Sequence, residues 1–144
     1  MSANPEHVLS QHFPPSVIRE RDFFRAFFAA LVENKVSSID WRADETARRF
    51  RRVYQYLRRE QSHSPLLPDL VRRLRPDPIT GANPALDSAL VNLQPTDLSA
   101  ANPSYERVLL MVPPSMTNQL IEALPEELHS IVREAARIFC QDDI

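Results

Sequence analysis

One glycine, Gly81, stands against thirteen prolines in a chain of 144 residues. Backbone positions with positive φ are cheap only at glycine, so this chain has few of them. Primed two-residue hairpins and glycine-rich phosphate loops both need such positions. Sheets joined by hairpins are therefore not expected, and a P-loop or dinucleotide fold still less so. Cysteine is equally scarce. Cys140 alone rules out a disulfide framework within the chain and is compatible with a reducing, cytoplasmic setting. Long apolar runs are missing too. The longest, "AFFAALV" at 26–32, is far short of the ~18 residues a membrane helix requires. The first residues, "MSANPEHVLSQHF", lack the basic and apolar regions of a secretory signal, so none is expected.

What is present points to helices. Proline is tolerated at helix starts and just beyond helix ends, and it divides this chain into short segments. "SVIRERDFFRAFFAALVENK", 16–35, reads as a first helix with Ser16 as N-cap. Val17, Phe24, Phe28 and Leu31 share a stripe at about 100° per residue, and Phe23, Phe27, Ala30 and Val32 widen it. A helix this apolar is either central in its own fold or buried against a partner. Phe23 and Phe27 are the candidate hydrophobic partner face.

A second helix is predicted over 41–61, with Asp40 or Asp44 near its start. Ala47, Phe50, Val53, Tyr54 and Leu57 face inward, while Arg48, Arg51, Arg52, Arg58 and Arg59 form an outward arc. Arg49 and Tyr56 lie on the remaining flank. These two helices, joined by a short link, should make an antiparallel hairpin over 16–62.

The remainder reads as shorter pieces. A helix near 68–75 ends at Pro76, and "PDPITGAN" forms the loop 76–83. Asn83–Pro84 and Asn102–Pro103 each carry a cap followed by a proline at the first helical position. They predict helices over 84–93 and 103–112, although "RVLLMV" taken alone is ambiguous between helix and buried strand. A further short helix starts at Ser115. Pro125 opens the last one, whose buried face is Leu128, Ile131, Val132, Ala135, Ile138 and Phe139. The expected fold is a single all-α domain, 1–144, of five to seven helices. It has a flexible segment at 1–15 and C-terminal helices over 84–144.

Charge is polarised along this chain. Net charge is −2 overall, yet "ETARRFRRVYQYLRRE" at 45–60 holds six arginines, and only one lysine, Lys35, occurs anywhere. Arginine forks onto phosphate oxygens, and neutralising a nucleic-acid backbone releases its counterions. The expected contact residues are Arg48, Arg51, Arg52, Arg58, Arg59, Arg72 and Arg73, with Arg75 nearby and Tyr56 able to stack on an unpaired base. The competing explanations are a solvated helix face, pairing with the acids of the C-terminal half, or a compositional bias of the whole chain toward arginine over lysine.

Catalytic chemistry has little to stand on. His7, His12, His63 and His129 are scattered and lack a metal-ligand spacing. Cys140 is followed by Asp142 and Asp143, and acidic neighbours raise a thiol pKa. Glu126 and Glu127 suit the positive end of a helix rather than acid–base work. "LPEELHSIVRE", 124–134, resembles a stretch in the SCAN dimerisation domains of zinc-finger proteins. The segment 76–114 does not follow that family's compact spacing, and no fold or residue role is carried over. The expectation is a non-enzymatic subunit or adaptor without cofactor, metal, membrane contact or evident small-molecule substrate. Its partner would be a nucleic-acid backbone or an acidic protein surface, together with other protein subunits or a second copy.

Overall fold

A computed structural model describes residues 18–40, 44–80, 82–92, 99–101 and 107–141. Among these residues six α-helices form the body: α1 (Glu20–Glu33), α2 (Asp44–Glu60), α3 (Leu67–Arg73), α4 (Pro84–Asn92), α5 (Thr117–Glu122) and α6 (His129–Phe139). The expected helical bundle is present. Three short strands accompany it: β1 (Ser38–Asp40), β2 (Ser99–Ala101) and β3 (Arg107–Leu110).

The centre of the fold is α1. Phe23, Phe24, Ala26, Phe27, Phe28, Ala29, Ala30 and Leu31 are all buried, and the helix packs against α4, α5 and α6. The expectation that Phe23 and Phe27 form a partner face is corrected: they are 2% and 0% exposed. Phe27 stacks on Phe23 at 5.8 Å between ring centroids and meets Phe50 and Phe139 edge-on at 5.7 and 5.8 Å. Edge-to-face pairs of this kind add stabilisation beyond area burial. The surplus apolar face is covered by the chain's own later helices.

Helix α1 begins at Glu20 rather than at Ser16, which lies outside the described residues with Val17. Arg19 takes the N-cap position with extended backbone and no side-chain cap, while Glu20 and Asp22 favour the positive helix end. Its other end is a glycine-free Schellman turn. Lys35 has φ 67°, its amide donates to Val32 O at 2.9 Å, and the Val36 amide donates to Leu31 O at 3.0 Å.

The link from α1 to α2 holds strand β1, and α6 packs along both helices. On α2 the buried residues are Thr46, Phe50, Val53 and Leu57. Ala47 and Tyr54, expected inward, are half-buried.

The small sheet corrects the helix expected at 103–112. Its order is β1-β3-β2, antiparallel throughout, with Ile39 opposite Val108 and Ala100 opposite Leu109. Val108 and Leu110 turn into the core while Leu109 is exposed, the two-residue alternation of a strand. Asn102 and Pro103 fall outside the described residues. The other Asn-Pro pair behaves as expected. Asn83 Oδ1 accepts from the Leu86 amide at 3.0 Å, and its Nδ2 donates to Leu74 O at 2.7 Å. One continuous apolar cluster runs from Ile18 to Phe139.

Candidate functional site

Helix α2 is a ridge with a cleft on each side. Arg48, Arg51, Arg58 and Arg59 are exposed on it. Such a run is helical because arginine is a good helix former and Phe50, Val53 and Leu57 anchor the opposite face. Asp44 and Glu45 in the first turn and Arg58 and Arg59 in the last complement the helix dipole.

The first cleft, about 350 Å³, lies between α2 and α3. Its lining includes Tyr54, Arg58, Gln61, Val71, Arg72 and Arg75, with no carboxylate among the lining residues. Arg58 and Arg75 are exposed and make no salt bridge among the described residues. Arg72 donates to Asp69 Oδ1, and Arg73 donates to the other oxygen of the same carboxylate. These two guanidiniums, Arg73 above all, hold the Asp69 carboxyl below its ordinary range. Arg73 also donates to Ile18 O at 3.1 Å. It therefore ties α3 to the start of α1, its guanidinium shared between Asp69 and Ile18.

The second cleft, about 390 Å³, lies between α2 and α6 and is lined by Arg52, Tyr56, Arg59, Glu134, Arg137 and Gln141 among others. It is mixed in charge. Arg137 grips Glu134 through both Nε, at 2.8 Å, and Nη2. The pairing lowers the Glu134 pKa and raises that of Arg137. Tyr56, expected as a stacking platform, is half-buried here. Burial raises its phenol pKa, reinforced by Glu60 and Glu134. Arg52 Nη2 donates to Gln141 O at 2.6 Å. Arg52 is accordingly half-committed to the C-terminal end of α6, and it does not stand on the open arc assigned to it.

A third hollow, about 420 Å³, joins β1, α2 and the end of α6. Asp40, Glu45, Thr46, Arg49 and Cys140 line it. Arg49 donates to Glu45 Oε1 at 2.8 Å and to Phe139 O at 3.0 Å. The Cys140 thiol pKa is raised, as expected, but its cause is burial, with Arg49 opposing it. Asp142 and Asp143 lie outside the described residues.

Among the described residues, acids of the C-terminal half find partners both near and far along the chain. Glu134 serves Arg137, and Glu127 Oε2 accepts from Ser64 Oγ at 2.6 Å. Arg133 pairs with Glu33 of α1 at 3.3 Å. His129 Nε2 sits 2.7 Å from Leu124 O, and His63 Nδ1 sits 3.2 Å from Glu60 Oε1. Among the described residues no three metal-ligating side chains cluster, and no helix is long and apolar enough to cross a membrane.

The structure thus separates the expected contact set. Arg48 and Arg51 stay on the ridge, Arg58 and Arg72 enter the α2/α3 cleft, and Arg52, Arg59 and Tyr56 enter the α2/α6 cleft. Tyr54, Gln61, Glu134 and Arg137 are among the lining residues that escaped the sequence reading. Tyr54 looked like core because it falls on the apolar stripe, and Arg137 stands 78 residues beyond Arg59 with nothing local to link them. Comparison with known proteins finds no matching family model, no similar curated protein and no similar solved structure.

Proposed function

We propose that this chain is a non-enzymatic helical subunit or adaptor of a larger cytoplasmic assembly, holding a nucleic-acid backbone through the arginine ridge of α2. One observation carries the reading. Arg51, Arg58, Arg59 and Arg75 are exposed and make no salt bridge among the described residues, while nearby arginines such as Arg49, Arg73 and Arg137 are consumed internally. Like charges held this closely repel one another, and a polyanion relieves that repulsion while shedding its counterions. The recognition is electrostatic and reads no base sequence.

The test is fluorescence anisotropy of the protein with a labelled single strand and a labelled duplex, titrated across salt. Log affinity should fall linearly with log salt. The Arg51→Gln/Arg58→Gln/Arg59→Gln variant should flatten the single-strand slope by about 2, at roughly 0.7 per lost phosphate contact. Absence of binding at low salt overturns the reading.

A second reading has its own support. Leu109 and Met111, two residues apart, are 41% and 49% exposed, a place for another protein subunit or a second copy of the chain to rest. In that reading the arginines meet an acidic protein surface. Leu109→Glu with Met111→Lys would then release the partner or shift the oligomer, measured by light scattering, and leave oligonucleotide binding unchanged.

A further inference from the structure

The two clefts beside α2 differ in a way that separates their roles. The α2/α6 cleft contains the carboxylate of Glu134, bound to Arg137. The α2/α3 cleft brings Arg58, Arg72 and Arg75 together with Tyr54 and Gln61, and no carboxylate lines it. Asp69, three residues before Arg72, is engaged by Arg72 and Arg73. Arg72 is paired with Asp69, while Arg58 and Arg75 are exposed and make no salt bridge among the described residues. Two unpaired guanidiniums are more than a phosphodiester needs, since it offers two free oxygens and one charge. A phosphomonoester offers three acceptor oxygens and about −1.5 to −2 charges at neutral pH. It matches the two unpaired arginines, Arg58 and Arg75, each able to fork onto a pair of oxygens, with Arg72 beside them on the cleft wall.

We propose that the α2/α3 cleft receives the terminal phosphomonoester of a single-stranded nucleic acid. This rests on the backbone-binding reading above and deepens it. The volume, about 350 Å³, is within the lower range of small-ligand sites. Tyr54 is half-buried against the core and offers a fixed aromatic wall for the last base. Gln61, in the turn that follows α2, supplies an amide to the same hollow. From Arg58 the strand leaves along α2 to Arg51, two helical turns away and about 10 Å along the axis. That continuity favours a nucleic-acid end over a phosphorylated peptide, which would not need the ridge.

The experiment compares one oligonucleotide sequence bearing a 5′-phosphate, a 3′-phosphate or hydroxyl ends, by anisotropy with the full chain. One phosphorylated end should bind about tenfold tighter than the hydroxyl form, and which end it is assigns the polarity. Arg58→Gln with Arg75→Gln, both exposed positions, should erase that preference. Arg51→Gln should weaken all three oligonucleotides alike. Inorganic phosphate and a mononucleotide serve as competitors, and the mononucleotide should displace the probe at lower concentration because it also offers a base to Tyr54. Equal affinity for all three oligonucleotides overturns the cleft assignment alone. So does a preference that survives in the double variant, or a phosphoserine peptide that competes better than the phosphorylated oligonucleotide. No binding of any oligonucleotide overturns the backbone reading and this inference together.

Discussion

Arg49 of α2 places its Nη1 3.0 Å from the carbonyl oxygen of Phe139, the last residue of α6, ninety positions further along the chain. The final carbonyls of a helix lack intrahelical partners and carry the negative end of its dipole, so a guanidinium there is doubly favourable. Arg49→Met should lower unfolding free energy by about 2 kcal/mol, the scale of a hydrogen bond to a charged group. Arg49→Lys should restore only part of it, because lysine cannot serve Glu45 and Phe139 with one planar fork. Urea denaturation monitored by circular dichroism measures both. A loss under about 0.5 kcal/mol for Arg49→Met would reduce the contact to surface decoration.

That contact also marks what a linear reading could reach. The buried stripe of α6 and the apolar face of α2 were legible because helical spacing repeats locally. The Asn83 cap was legible because cap and proline are adjacent. The sheet was not. β1 and β2 are three residues each and read "SID" and "SAA", too short and too polar to announce strands. β3 carries apolar residues on both faces, so neither period stood out. The arginines were legible as a cluster, while their uses were not. Whether Arg49 serves Phe139 or Arg52 serves Gln141 depends on where α6 docks, which no local pattern encodes.

Asn83 joins two helices through one side chain. Its oxygen caps α4 at the Leu86 amide, and its nitrogen satisfies Leu74 O at the end of α3, in a residue only 6% exposed. Asn83→Ala removes the cap, worth about 1 kcal/mol, and strands a buried carbonyl, worth about 1–3 kcal/mol. The expected total is about 2–4 kcal/mol. Asn83→Ser keeps an acceptor for the cap without the donor to Leu74 and should recover roughly the cap's share. Equal losses for Ala and Ser would show that the cap contributes nothing.

Acid should unfold the protein through specific carboxylates. Asp69 is held low chiefly by Arg73, Asp77 by the amides of Ile79 and Thr80, and Glu134 by Arg137. A carboxylate with a depressed folded pKa contributes stability that is present above its unfolded value, about 4, and is lost as pH falls through the folded one. Asp87 has the opposite sign. Burial raises its pKa, so its contribution is present at low pH and disappears as pH rises. Denaturant melts between pH 6 and pH 2.5 should show a decline below about pH 4. Asp69→Asn/Asp77→Asn/Glu134→Gln should flatten that decline, and Asp87→Asn should steepen it. An unchanged acid limb in the triple variant would place the acid sensitivity elsewhere.

Lys35 bears the consequence of a chain with so little glycine. The Schellman turn closing α1 demands a left-handed residue, and Lys35 occupies it at φ 67° with its side chain exposed. An L-residue there costs about 1–2 kcal/mol relative to right-handed geometry. Glycine would remove that strain while adding backbone entropy to the unfolded chain, worth roughly 0.5–1 kcal/mol. Lys35→Gly should therefore stabilise the protein by about 0.5–1 kcal/mol, and Lys35→Val should destabilise it, because a β-branched side chain crowds the left-handed backbone. Lys35→Asn should fall between, since asparagine tolerates this region. Thermal melts of the three variants should rank Gly above Asn above Val. If glycine instead lowered the melting temperature, the lysine side chain would be contributing something at this turn that outweighs its strain.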